Sequence, residues 1–128
     1  MAPGFSITVD PARHLMRVRL SGFFTPELAA EFVAARDEAQ AKLRCDPNQR
    51  AAVVDLRDLR IQPQDVVARF QSLLADHSKR SGRLAVVTSS TLSRLQVNRA
   101  AGHHGVDVRF FADLDEAEAW ATGSGPTA

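Results

Sequence analysis

The segment Ala51–Leu56 restricts the fold of this chain most, because it is a nearly continuous apolar run in which only Asp55 is polar. Such a run is typical of a central strand that is covered on both faces by other elements. After a polar loop, apolar residues recur at helical spacing, at Val66, Val67, Phe70, Leu73 and Leu74. A buried strand followed by an amphipathic helix predicts an α/β domain.

The N-terminal segment predicts a β-hairpin. Apolar residues alternate with polar ones in two runs, first at Phe5, Ile7 and Val9 and then at Met16, Val18 and Leu20. The connector Asp10–Arg13 has the composition of a turn and is too short for a crossover, so the two strands should pair antiparallel.

Strands and helices alternate in the rest of the chain. Thr25 as N-cap and Pro26 in the first position predict a long helix with an apolar stripe of Leu28, Phe32, Ala35, Ala39 and Leu43. Further elements are a strand at 84–87, a helix that begins at Ser89 or Ser90, a strand at 106–111 and a helix from Asp113 to about Ala121. The order β-β-α-β-α-β-α-β-α predicts a mixed five-stranded sheet with one antiparallel hairpin and helices packed on it.

Composition excludes several classes of protein. A chain of 128 residues suits one domain, which we place at 1–122 and follow with a disordered tail at 123–128. The net charge of +1 provides no field that would attract nucleic acid. Without an apolar run of roughly 20 residues or a secretory signal, the sequence predicts a cytoplasmic protein with no integral membrane association.

The sequence contains no recognisable catalytic or cofactor motif. The histidines His14, His77, His103 and His104 lack the spacing of metal ligands, and no Walker, Rossmann or nucleophile-elbow pattern is present. We therefore predict no catalytic residue, no metal and no cofactor. The enzyme alternative would require Asp55, Asp58 and a histidine to converge in space.

The loop after the central strand is the predicted site of partner recognition. In α/β proteins, ligands meet the loops at the carboxyl ends of the strands. Here these loop residues are polar or charged, namely Arg57, Asp58, Arg60, Gln62, Gln64 and Asp65.

Three phenylalanines define the alternative, a carrier of a small apolar ligand or a lipid. Phe23 and Phe24 precede the first long helix, and Phe70 lies on the next one. Phe24 also occupies the position of a hydrophobic staple, so packing roles are the favoured interpretation of these rings.

The chain resembles the STAS superfamily, and within it the SpoIIAA-like (STAS/SEC14-like) bacterial branch. The resemblance extends from about Phe5 to Ala121. It is carried by four segments: MRVRLSGFFTPELAAEF at 16–32, AVVDLRDLRIQPQDVV at 52–67, RLAVVTSSTLSRLQ at 83–96 and VRFFADLDEAEAW at 108–120.

This resemblance implies a non-enzymatic module that binds a protein partner or a small ligand. In antagonist members, a serine after the third strand is phosphorylated to break a partner complex. The corresponding position here is Gln64, with Asp65 at the neighbouring hydroxyl position, which implies that the kinase-controlled switch is absent. The SEC14-like relation implies the lipid alternative. Apart from the resemblance, sheet edges and apolar helix faces often pair in small domains, so a homodimer is a further expected association.

Overall fold

The computed structural model describes residues 4–44, 49–60, 65–66, 68, 82–88, 95 and 107–123. Its strands are β1 (Gly4–Asp10), β2 (Leu15–Gly22), β3 (Ala51–Leu59), β4 (Arg83–Val87) and β5 (Asp107–Phe111). Its two helices with described bounds are α1 (Pro26–Gln40) and α2 (Leu114–Thr122). Asp65, Val66, Ala68 and Leu95 are also helical, and the other residues of the two helices predicted around them lie outside the described part.

The five strands form one mixed sheet in the order β1-β2-β3-β4-β5. β1 and β2 pair antiparallel, and the other neighbours pair parallel, as the sequence predicts. A short 3-10 turn at Pro11–Arg13 joins the hairpin, and His14 closes it with a left-handed φ of 54°. The hairpin and the parallel strands after it give the predicted topology.

Helix α1 begins as the sequence predicts, and its buried face is wider than the predicted apolar stripe. The Thr25 hydroxyl accepts a hydrogen bond from the Leu28 amide at 3.1 Å, and Pro26 occupies the first turn. The predicted stripe is confirmed in most of its members, since Phe32 and Leu43 are buried in the core and Leu28 and Ala39 pack against it. The helix also buries Ala29, Arg36 and Gln40, which the stripe does not include. Arg36 donates a hydrogen bond to Gln40 at 3.5 Å, and its long aliphatic stem can pack where an alanine would leave space.

Each face of the sheet has its own apolar core. Alternate residues of β3 point to opposite faces, so Ala52 and Leu56 join the core beneath α1, and Ala51 and Val53 join the core beneath α2. Val66 belongs to the α1 core, which places the helical segment after β3 on that face. The central strand is therefore buried on both faces, as its composition predicts.

Helix α2 lies close to the sheet through small residues. Asp113 caps it by accepting hydrogen bonds from the amides of Asp115 at 2.7 Å and Glu116 at 3.2 Å. Gly123 ends it with a φ of 71°, a conformation that glycine adopts without strain. The helical residues that face the sheet are Ala117 and Ala121, and both are buried. No helix in the described ranges combines the length and the apolar character that crossing a bilayer requires.

Strand β3 is longer than the sequence predicts and ends at Leu59 rather than Leu56. The pairing of β2 with β3 shifts after Arg19 and then continues, with Ser21 opposite Asp58 and Gly22 opposite Leu59. An irregularity of this kind allows the charged end of β3 to remain paired with β2 while its side chains are directed toward solvent. Two residues predicted to lie in the loop, Arg57 and Asp58, are therefore strand residues.

Candidate functional site

The carboxyl ends of the four parallel strands lie at one end of the sheet, here named the carboxyl edge, at Gly22, Leu59, Val87 and Phe111. β2 and β3 extend beyond β4 and β5 there, because Val87 is opposite Asp55. Backbone hydrogen bonds continue just beyond two of these ends. The Arg60 amide donates to the Gly22 carbonyl at 3.1 Å, and the Thr88 amide donates to the Phe111 carbonyl at 3.1 Å. The first residues after β3 and β4 are therefore held in place by the sheet itself.

Asp55 and Arg57 form a closed pair within β3. The Arg57 side chain donates from Nε to Oδ1 at 3.0 Å and from Nη2 to Oδ2 at 2.7 Å, and its backbone amide donates to Oδ1 at 3.1 Å. The hydrogen bonds from the Arg57 side chain lower the pKa of Asp55 despite burial, and the charges of Arg57 and Arg19 act in the same direction. Asp55 is therefore a fixed anion rather than a proton donor at neutral pH.

Arg19 and Asp58 form a second pair, which connects β2 to β3. Their side chains make a direct hydrogen-bonded ion pair. That hydrogen bond and the charge of Asp58 raise the pKa of Arg19. The Arg19 side chain is 61% exposed and that of Arg57 is 47% exposed, so each guanidinium holds its carboxylate while one part of it faces water. The carboxyl edge thus presents alternating charges of both signs.

The structure brings three of the predicted partner-binding residues together. Arg57 and Asp58 lie at the end of β3, and Arg60, which is exposed, follows immediately. Asp65 is exposed and helical, and its Oδ1 accepts a hydrogen bond from the Val66 amide at 3.0 Å. Gln62 and Gln64 lie outside the described residues. The absence of a kinase-controlled switch at Gln64 therefore stays a prediction.

The phenylalanines of the apolar-ligand hypothesis occupy different environments. Phe23 is 52% exposed, whereas its neighbour Phe24 is fully buried and stacks edge-on against Phe32 with ring centroids 6.5 Å apart. Phe70 lies outside the described residues. Phe24 thus belongs to the core. Binding of an apolar ligand stays a prediction, and Phe23 is the ring that such a ligand could reach.

Arg19 belongs to this site although no motif in the sequence marks it. Arg19 is paired with Asp55 in the parallel register of β2 and β3 and bonds to Asp58, 39 positions away. The available signal was the alternation of Arg17 and Arg19 on one strand face, because a repeated charge on a half-covered sheet face needs a partner. That partner could not be identified before the register was known.

The convergence required by the enzyme alternative is not found among the described residues. Asp55 and Asp58 lie toward the carboxyl edge, and each is paired with an arginine. His14 lies at the opposite edge, where its carbonyl accepts a hydrogen bond from the Ala51 amide at the start of β3. His77, His103 and His104 lie outside the described part of the chain. Within the described ranges, no group of three histidine, cysteine or acidic side chains could hold a metal ion.

A second ion-pair cluster fastens α2 to the hairpin. Glu118 accepts hydrogen bonds from Arg13 at 2.7 Å and from Arg17 at 2.5 and 3.1 Å, and Arg13 also donates to the Thr122 hydroxyl at 3.1 Å. The hydrogen bond from Arg17 is the main reason that the pKa of Glu118 is lowered, and Arg13 adds to the effect. The cluster connects residues more than 100 positions apart and helps to orient α2 on the sheet.

We expect Glu118→Gln to destabilise the protein by about 0.5–1 kcal/mol at pH 7, a small value because both arginine side chains are more than a third open to water. Since the folded-state pKa is lowered, this stabilisation is present above the ordinary carboxyl pKa of about 4.3 and is lost as the pH falls through the folded value. Urea unfolding at several pH values would therefore show the difference from wild type shrinking toward acid. Glu31→Gln, an exposed residue of α1, is the matched control and should leave stability unchanged; an equal loss there would contradict the prediction.

The profile of the SpoIIAA-like family, a STAS domain family, matches residues 15–122, which is most of the chain. The chain belongs to the SpoIIAA-like family. No match to it is found among curated proteins.

Two solved structures share the fold of this SpoIIAA-like chain. An uncharacterised DUF3478-family protein with a SpoIIAA-like fold from Shewanella loihica PV-4 superposes with a TM-score of 0.75 at 18% identity, covering 94% of this chain and 96% of that one. An anti-sigma factor antagonist from Mycobacterium paratuberculosis gives a TM-score of 0.60 at 18% identity, with coverage of 92% and 94%. At these identities the likeness confirms the predicted fold.

Proposed function

We propose that this chain is a non-enzymatic, cytoplasmic regulatory module that binds a protein partner through its carboxyl edge. The interacting surface consists of Arg19, Arg57, Asp58, Arg60 and Phe23, and is named here the carboxyl-edge surface. Family membership and the fold shared with an anti-sigma factor antagonist support a role in regulation through protein contacts. The charged pairs support binding rather than proton transfer, because each carboxylate is already matched to a guanidinium.

The single observation that carries this proposal is the exposed ring of Phe23 beside the charged pairs. Phe23 and Arg60 follow directly after Gly22 and Leu59, which are paired in the β2–β3 register. Phe23 leaves half of its surface in water, although the adjacent Phe24 shows that this loop can bury a ring completely. Aromatic and arginine side chains dominate the binding energy of protein interfaces, and both are present here.

Partner binding at this surface is proposed to be independent of phosphorylation at Gln64. A glutamine has no hydroxyl to accept a phosphoryl group, so a partner would not be released by a kinase acting at that position.

The test replaces two exposed residues of this surface. Arg57 holds the buried Asp55 and is left intact, and the variant is Phe23→Ala combined with Arg60→Glu. We expect its affinity for a partner to fall at least about tenfold, since loss of an aromatic anchor alone typically costs about 1.4 kcal/mol or more. Quantitative pull-down with mass spectrometry, followed by calorimetry with the recovered partner, measures the change.

The matched control is Arg44→Glu, an exposed charge reversal beyond the end of α1. Both variants should melt like wild type, which separates loss of binding from loss of folding. Proteins captured by wild type and by the control, but lost from the double variant, would support the proposal. An identical set of captured proteins for all three would remove the carboxyl-edge surface as the interface.

A further inference from the structure

Trp120 on α2 carries two arginines against its ring, at the β5 side of the sheet. The guanidinium carbons of Arg83 and Arg109 lie 5.4 and 5.2 Å from the ring centroid, within the range of cation–π attraction. Arg83 also donates a hydrogen bond to the Trp120 carbonyl at 2.8 Å. Together with Phe111, whose ring lies 5.9 Å from that of Trp120, these contacts fix the position of both guanidinium groups.

The two flanks of α2 differ in whether their charged side chains form ion pairs within the chain. Ala117 and Ala121 face the sheet, and on one side of them Glu118 is held by arginines of the hairpin. On the other side, Glu116 and Trp120 lie one turn apart, because residues i and i+4 share a helical face. Among the residues that the structure describes, Arg83 and Arg109 form no ion pair with a carboxylate, and neither does Glu116 with a cation.

Charge is therefore separated along this flank of α2. The helix begins with Asp113, Asp115 and Glu116, which are all exposed. Toward its end, exposed Arg83 and Arg109 surround Trp120. With a rise of about 1.5 Å per residue, Glu116 and Trp120 are roughly 6 Å apart along the axis, so the acidic start of this flank and the arginines around Trp120 are about one helical turn apart. Such a stripe is complementary to its own reversed copy.

We propose that the chain forms a two-fold symmetric dimer in which the α2 flanks of two copies pack antiparallel. The Glu116 carboxylate of each copy then meets Arg109 of the other, and Arg83 lies beside the same acidic turn. In a two-fold interface, each contact between the acidic turn of one chain and the arginines of the other occurs twice. One acidic turn and one pair of arginines in each chain are therefore sufficient to form the whole interface.

The charge pattern favours a second copy over other anionic occupants. Both arginines are already placed against the indole ring, which leaves little of its faces for a nucleic acid base to stack on. An acidic peptide would neutralise the arginines and leave the acidic turn of α2 unmatched, whereas a reversed copy matches both. This interface uses the β5 side of the molecule and is separate from the carboxyl-edge surface, so its outcome is independent of the proposed function.

Sedimentation velocity over a series of protein concentrations, in about 50 mM and about 500 mM salt, tests the proposal. Wild type is expected to dimerise reversibly and to dissociate as salt screens the ion pairs. Arg109→Glu and Glu116→Arg should each weaken self-association at least about tenfold, because each variant places like charges opposite one another. Arg44→Glu, far from this flank, serves as the control and should dimerise like wild type.

Mixing the two weakened variants gives the decisive result. In a mixed pair, one contact joins the two substituted side chains, which carry opposite charges, and the other contact joins the native Glu116 of one chain to the native Arg109 of the other. The Arg109→Glu and Glu116→Arg chains should therefore associate with each other in a one-to-one complex. Unchanged far-ultraviolet circular dichroism of each variant alone shows that it is folded. A mixture that stays monomeric would overturn the proposal. So would a wild-type chain that stays monomeric in low salt, even if it binds a hexaglutamate peptide.

Discussion

Phe24→Ala is expected to lower the free energy of unfolding by about 3–5 kcal/mol, the usual cost of removing a buried ring. Phe24 is fully buried in the core beneath α1 and stacks edge-on with Phe32, which in turn stacks on Phe5 of β1 at a centroid distance of 5.6 Å. The substitution would leave a cavity at the point where α1 meets the hairpin. Because whole domains are typically stable by about 5–15 kcal/mol, this change alone could unfold much of the population.

Phe23→Ala is the control for this prediction, because it removes the same atoms from the adjacent residue. Its ring is half exposed, so its removal should change stability by no more than about 0.5 kcal/mol. Urea unfolding followed by circular dichroism would measure both variants against wild type. If both variants lost the same free energy of unfolding, Phe24 would not be the core ring and Phe23 would not be the surface ring of the loop between β2 and α1.

Local patterns in the sequence were sufficient to predict most of the fold. The alternation of apolar and polar residues in β1 and β2, together with a short connector, predicts the antiparallel hairpin that the structure contains. The sequence also predicts the helix cap at Thr25 and the start of a helix at Asp113, since a cap depends on residues only two or three positions away. These features are set by interactions between near neighbours, which a single sequence displays directly.

Features set by distant contacts could not be predicted in the same way. The buried face of α1 includes Arg36 and Gln40, because a polar pair can satisfy itself inside a helix interface, and hydrophobicity alone gives no sign of it. The length of β3 depends on the irregular pairing with β2 after Arg19. The loop composition led to Arg57, Asp58 and Arg60, but the ion pairs that organise this surface depend on strand register.

The contrast between Phe23 and Phe24 illustrates the same limit within the candidate site. Both rings precede the N-cap of α1, and their sequence positions differ only in which one lies next to Thr25. The residue before an N-cap packs back on its helix, which buries Phe24 and leaves Phe23 outside. The position next to the N-cap therefore predicts that Phe24 is buried. Phe23 does not occupy that position, and it lies at the surface.

Ala117→Leu is expected to cost about 1–3 kcal/mol, because the added side chain must enter a fully packed contact between α2 and the sheet. Ala117 has no exposed surface, and opposite it lie the equally buried Ala85 and Val87 of β4. The small residues on both sides allow the close approach of helix and sheet. A leucine would push the helix outward and strain the Glu118 bonds to Arg13 and Arg17 at the same time.

The measurement can use Trp120, the only tryptophan of the chain, as a reporter of how α2 is seated. Its fluorescence should change in Ala117→Leu before global unfolding, because the ring lies against Phe111 and two arginines that stay with the sheet. Ala119→Leu, on a half-buried side of the same helix, is the matched control and should stay within about 0.5 kcal/mol of wild type. If Ala117→Leu were equally neutral, α2 would be a loosely attached helix, and neither the Glu118 cluster nor the proposed dimer flank could depend on its position.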